Sequence, residues 1–348
     1  MGLFSTGLSF NNGLQSQRQF VAVARTTGVN ENVTDVVMTS LDGITWTTRN
    51  IAYGYFQGTN LEAVTWSSSL NLWVAGQSVN LPNSGVDRIW TSPDGINWSS
   101  RNLPTPAVNG LSVRSVIWIP ALGKFLATGD DGQSAGFYFS SSTDGITWIS
   151  NSGDTSLDFF YTCLAYSPSL DRTVALRTSA QAGQYSNNLT SWTTIVISGA
   201  ANAGWQAVVW APELSKFIAV SDTSYGTKAA YSSDGITWTL STPTELVNWK
   251  GLAWSPKLGI AVAVASTGTT RVMYTSDGIN WSNSGISGAG ASYAWNSVTW
   301  SDDLELFVAV GGLATMHSKD GLTWTYAAGS LTGTRDLQFV SWGGIYNG

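Results

Sequence analysis

Residues 91–98 read TSPDGINW, and the phrase returns along the whole chain. It appears as TSLDGITW ending at Trp46, SSTDGITW at Trp148, SSDGITW at Trp238, TSDGINW at Trp281 and SKDGLTW at Trp324. A worn copy, SNNLTSW, ends at Trp192. The closing Trp residues fall at intervals of 52, 50, 44, 46, 43 and 43 residues. A fixed period of this size means one supersecondary unit built repeatedly, here seven times.

A second phrase alternates with the first. It reads EAVTWSSSLNLWVAG around Trp66, RSVIWIPALGKFLATG around Trp118 and AVVWAPELSKFIAV around Trp210, with further copies around Tyr166, Trp254 and Trp300. Each copy holds two short runs of Val, Ala and aromatic residues separated by a polar turn, the pattern of a strand, a tight connection and a second strand. The Asp-Gly phrase adds a third and fourth strand around a turn where Gly takes positive φ and Asp bonds its own backbone. Each unit is therefore a four-stranded antiparallel meander, and no room is left for a helix between copies.

The chain ends decide how the units are arranged. RDLQFVSWGGIYNG (Arg335–Gly348) reproduces the first strand of a unit, with Trp342 at the phase of Trp300, and no second strand follows. QFVAVAR (Gln19–Arg25), followed by VTDVVMTSLDGITW, is a unit lacking its first strand. A solenoid would need distinct caps; a unit split between the two ends is what a closed ring uses. The expected fold is all-β: a seven-bladed β-propeller of four-stranded antiparallel blades, closed by pairing of the C-terminal strand with the N-terminal strands. Residues 18–348 form this single domain, and residues 1–17 are an N-terminal extension.

Composition excludes several functions. The 348-residue chain is only 11% charged, with net charge −6 and no run of Lys or Arg, so a phosphate-tracking groove and a nucleic-acid partner are not expected. Cys163 is the single Cys and His317 the single His, which leaves no disulfide framework and no Cys/His metal cluster. No cofactor and no metal are expected. No stretch of 18 apolar residues suggests membrane insertion, and the first residues lack the pattern of a Sec signal.

The repeated turn resembles the Asp box, or BNR repeat, of sialidase-like propellers, whose pattern has a Ser, an Asp, a Gly and a closing Trp. The match falls on Ser92, Asp94, Gly95 and Trp98 and on their equivalents in five other copies, although Asp and Gly are adjacent here. Similar repeats also occur in phage-encoded proteins. The resemblance implies a propeller in which Asp42, Asp94, Asp144, Asp234, Asp277 and Asp320 are structural turn residues. The Trp of each box is expected to pack against its own blade. It does not carry over the sialidase activity: of the 10 Arg, only Arg114 and Arg335 stand near the start of an inner strand, where an arginine clamp would need three.

The best candidate binding residues break the repeat. Trp205, Trp249 and Trp295 share one phase, five residues before the inner-strand aromatic, and Tyr161 holds it one blade earlier. Polar residues follow each: Thr162, Gln206, Lys250 and Asn296. Neighbouring blades would set these aromatics in an arc at one channel mouth, where two readings are open. They cap the inner-strand layer, or they form an exposed platform for sugar or peptide. Carboxylates that a glycosidase would need in pairs are present, Glu62, Asp130, Asp131, Asp154, Asp158, Asp222 and Glu245, but spacing places no two face to face. The expected function is a non-enzymatic structural or interaction protein of a phage virion, a tail-associated receptor-binding or decoration protein. A carbohydrate-binding lectin and a polysaccharide-degrading enzyme are the alternatives. Expected partners are other virion proteins or a host surface glycan, with a homo-oligomer possible. The expected location is the virion, assembled in the host cytoplasm, with a cytoplasmic or non-Sec secreted protein as the alternative.

Overall fold

The computed structural model describes residues 18–26, 36–49, 51, 60–78, 89–104, 112–130, 137–151, 161–178, 182–200, 203–222, 229–286, 288–327 and 335–343. The expected extension, residues 1–17, lies outside them, as do Asp131, Asp154 and Asp158. The strands form seven antiparallel meanders of four strands each. The second blade is typical: Asn60–Ser67 innermost, then Leu72–Ser78, Ile89–Ser92 and Ser99–Arg101. The blade before Arg335 gains a short fifth partner, Gly285–Ile286, which runs parallel to Thr323–Ala327.

The ring closes as its split unit requires. Arg335–Gly343 pairs antiparallel with Gln19–Thr26, which pairs with Val37–Ser40 and then Thr47–Arg49. One blade thus takes its inner strand from one end of the chain and its other three from the opposite end. The protein is a seven-bladed β-propeller.

Packing follows the blade joints. The buried apolar residues divide into seven clusters, and each spans two adjacent blades. Val21, Val23 and Ile51 of the closing blade meet Leu61, Trp73, Trp90 and Trp98 of the next. Burial of this kind, at roughly 25 cal/mol per Å² of apolar surface, holds neighbouring sheets face to face. Within blades, the inner-strand aromatic leans on the aromatic of the second strand: Trp118 on Phe125 at 4.7 Å, Trp210 on Phe217 at 4.8 Å, Trp300 on Phe307 at 4.6 Å and Trp342 on Phe20 at 4.5 Å between ring centroids.

The repeated turn joins the third strand to the outer one and ties itself together. Asp94 accepts the N–H groups of Ile96 and Asn97 at 2.8 Å each and the hydroxyl of Ser92 at 3.0 Å. Trp98 Nε1 donates back to the Gly95 carbonyl at 3.0 Å. Gly95 has φ +70°, and a Cβ there would stand 2.6 Å from Gln19 Nε2 of the preceding blade. The Trp of each turn packs against its own blade, as Trp148 does on Phe125 and Trp238 on Phe217, and also belongs to a cluster shared with the preceding blade. The turn is an inter-blade joint as well as an outer hairpin.

Candidate functional site: the channel mouth

The inner strands converge on an axial cavity of about 530 Å³. Their geometry comes from a β-bulge near the start of six of the seven. Register slips between Leu61 and Ala63, Val113 and Ser115, Tyr161 and Cys163, Trp205 and Ala207, and Trp249 and Gly251. In the closing blade the slip falls opposite Leu337 and Phe339. The extra residue of a bulge is released from the ladder and re-aimed. Here it is Glu62, Arg114, Thr162, Gln206, Lys250 and Gln338, and with Asn296 these side chains make a polar girdle around the cavity.

Most charges in the girdle are matched between blades. Glu62, with a side chain only 10% exposed, meets Arg114 of the next blade at 2.5 Å and Arg25 of the preceding one at 3.5 Å. Lys250 pairs with Asp222 of the preceding blade. Asn296 Nδ2 donates to Asp336 Oδ1 at 3.0 Å and to the Leu337 carbonyl at 2.8 Å, and Asp336 also accepts the Gly312 N–H at 3.0 Å. Thr162 donates its hydroxyl to the Trp205 carbonyl. Gln206 makes no hydrogen bond among the described residues and lines the cavity.

The aromatic arc takes the packing role. Trp205, Trp249 and Trp295 are fully buried and Tyr161 is 3% exposed, so an open platform of these four rings is corrected. For Tyr161, Trp205 and Trp249 the cause is the bulge: the residue before it points into the wedge between blades, while the bulged residue turns to the channel. Trp205 packs with Val174, Leu176 and Ile195 of the preceding blade, and Trp295 with Val262 and Val264. Trp249 Nε1 donates to the Glu245 carbonyl and Trp295 Nε1 to that of Gly290, each at 3.1 Å. Their polar followers Gln206, Lys250 and Asn296 do line the cavity.

One tier further along lie Ala63, Ser115, Cys163, Ala207, Gly251 and Ser297, the small residues that let strands approach the axis. Gly251 has no room for a side chain: a Cβ would stand 2.8 Å from the Ser297 Cα. Burial pushes the Cys163 thiol up to about 12, so it stays protonated and inert. The seventh position of this tier is Phe339, which is 38% exposed. Arg25, Asp336 and Phe339 are channel residues that the repeat phases of the candidate arc did not single out. Aligning Arg335–Gly343 with the other inner strands would have found Phe339.

Away from the channel, the six Asp of the repeated turns are structural. Partial burial pushes each carboxyl up, but backbone N–H donors outweigh it and hold all six below the usual range, Asp277 at about 2. His317 sits on the third strand of its blade, where burial lowers its pKa. Among the described residues no group of three or more His, Cys, Asp or Glu is placed to hold a metal ion. Among the described residues no helix is long and apolar enough to cross a membrane.

Comparisons with known proteins support the architecture. No family model matches the chain, and no curated protein matches its sequence. Among solved structures, a protein from Lactobacillus plantarum is similar at TM-score 0.66 with 10% identity, covering 94% of this chain and 99% of that one. A streptogramin B lyase is similar at TM-score 0.65 with 8% identity, covering 92% and 91%. A nidogen–laminin complex contains a chain similar at TM-score 0.52 with 8% identity, covering 93% and 98%. At such identities the likeness is one of fold, and the fold hosts unrelated functions.

Proposed function

We propose that this propeller is a non-catalytic interaction protein of a phage particle, a tail-associated receptor-binding or decoration protein that works through its channel face. The observation that carries the reading is the commitment of the channel carboxylates. Glu62 lies between two guanidinium groups, Asp222 is paired with Lys250, and Asp336 accepts from Asn296 and a backbone N–H. General acid–base chemistry needs a carboxyl within reach of a reacting atom, and these three are turned to partners inside the girdle instead. The low charge content, the Gly-, Ser- and Thr-rich turns and the Asp-box-like repeats agree with the phage assignment by resemblance.

Two measurements test it. Mass spectrometry of purified particles made by the encoding genome should find the chain at a fixed ratio to the major structural proteins. Absence from the particles would end the virion assignment. Reducing-end and unsaturated-product assays on a panel of bacterial surface polysaccharides should give no turnover. Turnover abolished by Glu62→Gln in a folded variant would replace the non-catalytic reading with an enzymatic one.

A further inference from the structure

Phe339 is the single large side chain at an axial tier that six other blades fill with Ala63, Ser115, Cys163, Ala207, Gly251 and Ser297. It is 38% exposed, whereas Phe20, Phe125, Phe139, Phe217 and Phe307 are fully buried. The fold therefore leaves one phenyl ring on the wall of a 530 Å³ cavity, a volume within the usual range for small-molecule sites of about 300–1,000 Å³. Nothing in the repeat requires it there, since Ser or Ala serves at the same position in other blades.

The surroundings define the chemistry of an occupant. An aromatic face beside hydrogen-bonding groups receives a molecule with one apolar face and a polar edge. Arg25, Arg114 and Lys250 stand against Glu62, Asp222 and Asp336 around the girdle, so its charges balance and no net charge selects an ion. The amide of Gln206, on a blade facing Phe339 across the ring, both donates and accepts, while the hydroxyl of Thr162 gives its proton to the Trp205 carbonyl and keeps lone pairs to accept with. Groups of this mixed character match hydroxyls, which also do both.

We propose that the channel binds a neutral pyranose residue of a surface glycan, its apolar ring face on Phe339 and its hydroxyls on Gln206, Lys250 and the neighbouring girdle. This rests on the reading of the channel face as a non-catalytic recognition surface and names its ligand class. It assigns recognition to the residue that breaks the axial tier rather than to the buried arc of Trp205, Trp249 and Trp295.

The test uses the full chain with saturation-transfer NMR on the methyl glycosides of glucose, galactose, mannose and N-acetylglucosamine, and a printed array of neutral and sialylated glycans. Binding to a neutral glycan is expected. Phe339→Ser should weaken it by about tenfold or more, equivalent to the loss of one good contact, while Phe339→Trp retains it. Ser already occupies this tier at Ser115 and Ser297, so Phe339→Ser is expected to fold with an unchanged thermal midpoint. No neutral glycan bound, preference for the sialylated set, or equal binding by Phe339→Ser would each overturn the proposal. If Phe339→Ser fails to fold, Gln206→Ala decides the matter: unchanged binding overturns the proposal, and weakened binding supports it. Particles that carry the chain while it binds no glycan would sink this ligand class and leave the interaction reading standing. Cleavage of a bound glycan would do the reverse.

Discussion

Asp277→Asn isolates what a charge contributes to the repeated turn. Asp277 Oδ1 accepts the N–H groups of Ile279 at 2.7 Å and Asn280 at 2.8 Å and the Thr275 hydroxyl at 3.0 Å, while Oδ2 accepts Asn280 Nδ2 at 2.7 Å. The worn copy shows that an amide fits this geometry. Asn188 Oδ1 accepts the N–H groups of Thr190 at 2.9 Å and Ser191 at 2.8 Å. The substitution thus removes charge and turns an acceptor into a donor facing Asn280, with the turn kept. The folded pKa is lowered from 3.8 to about 2, which at about 1.36 kcal/mol per unit gives an upper bound near ~2.4 kcal/mol. Solvent screening at this partly exposed carboxylate reduces the figure to about 1 kcal/mol. Because the folded pKa is depressed, the contribution is full above the unfolded value and is lost as pH falls through about 2. Urea unfolding should therefore find wild type more stable than Asp277→Asn by about 1 kcal/mol at pH 7, the gap narrowing at pH 3 and below. A gap that does not change between pH 7 and pH 3 would refute the electrostatic origin.

Three further outcomes are expected. Gly145→Ala should cost at least about 1–2 kcal/mol from its left-handed backbone, with φ +73° and a Cβ 2.6 Å from Leu72 of the preceding blade; unchanged urea unfolding would remove the joint role of this turn. Trp295→Ala should lower stability by about 3–5 kcal/mol because the ring is fully buried; a thermal midpoint equal to that of wild type would return Trp295 to the surface. Val340→Asp places an unpaired carboxylate in the closing joint, where Val340 is 1% exposed. It should cost about 3–5 kcal/mol and make limited proteolysis fast, and wild-type protease resistance would contradict the closure.

The blades were legible because the period of TSPDGINW and the phase of Trp342 against Trp300 are properties of sequence alone. The direction of a side chain at the channel was not. In a regular strand the alternation of faces is fixed, and Trp249 and Lys250 would simply point to opposite sides of a sheet. The bulge between Trp249 and Gly251 sends both Lys250 and Gly251 toward the cavity and leaves the Trp in the joint. Bulges arise from the fit of a strand to its neighbours, so an arc of large aromatics reads equally well as lining or as wedge. Phe339 is hidden for a different reason: in the sequence it is one more apolar residue of a strand, and only the ring sets it beside the six small residues of its tier. Glu62 likewise stood out as one carboxylate among several until the ring brought Arg25 and Arg114 to its two sides.

The closing blade also dictates an order of events during synthesis. Gln19–Thr26 emerges early, yet the strand that completes its inner side, Arg335–Gly343, is made after six whole blades. At about 5–20 residues per second this is a wait of roughly 15–60 s. Throughout it, Phe20, Val21, Ala22 and Val23 belong to a strand with one edge unpaired, the kind of edge that recruits other chains. Blades formed in the meantime cannot shorten the delay, because the missing partner has not been translated. A permuted gene that places Arg335–Gly343 ahead of Gln19 would let this blade form first and remove the wait.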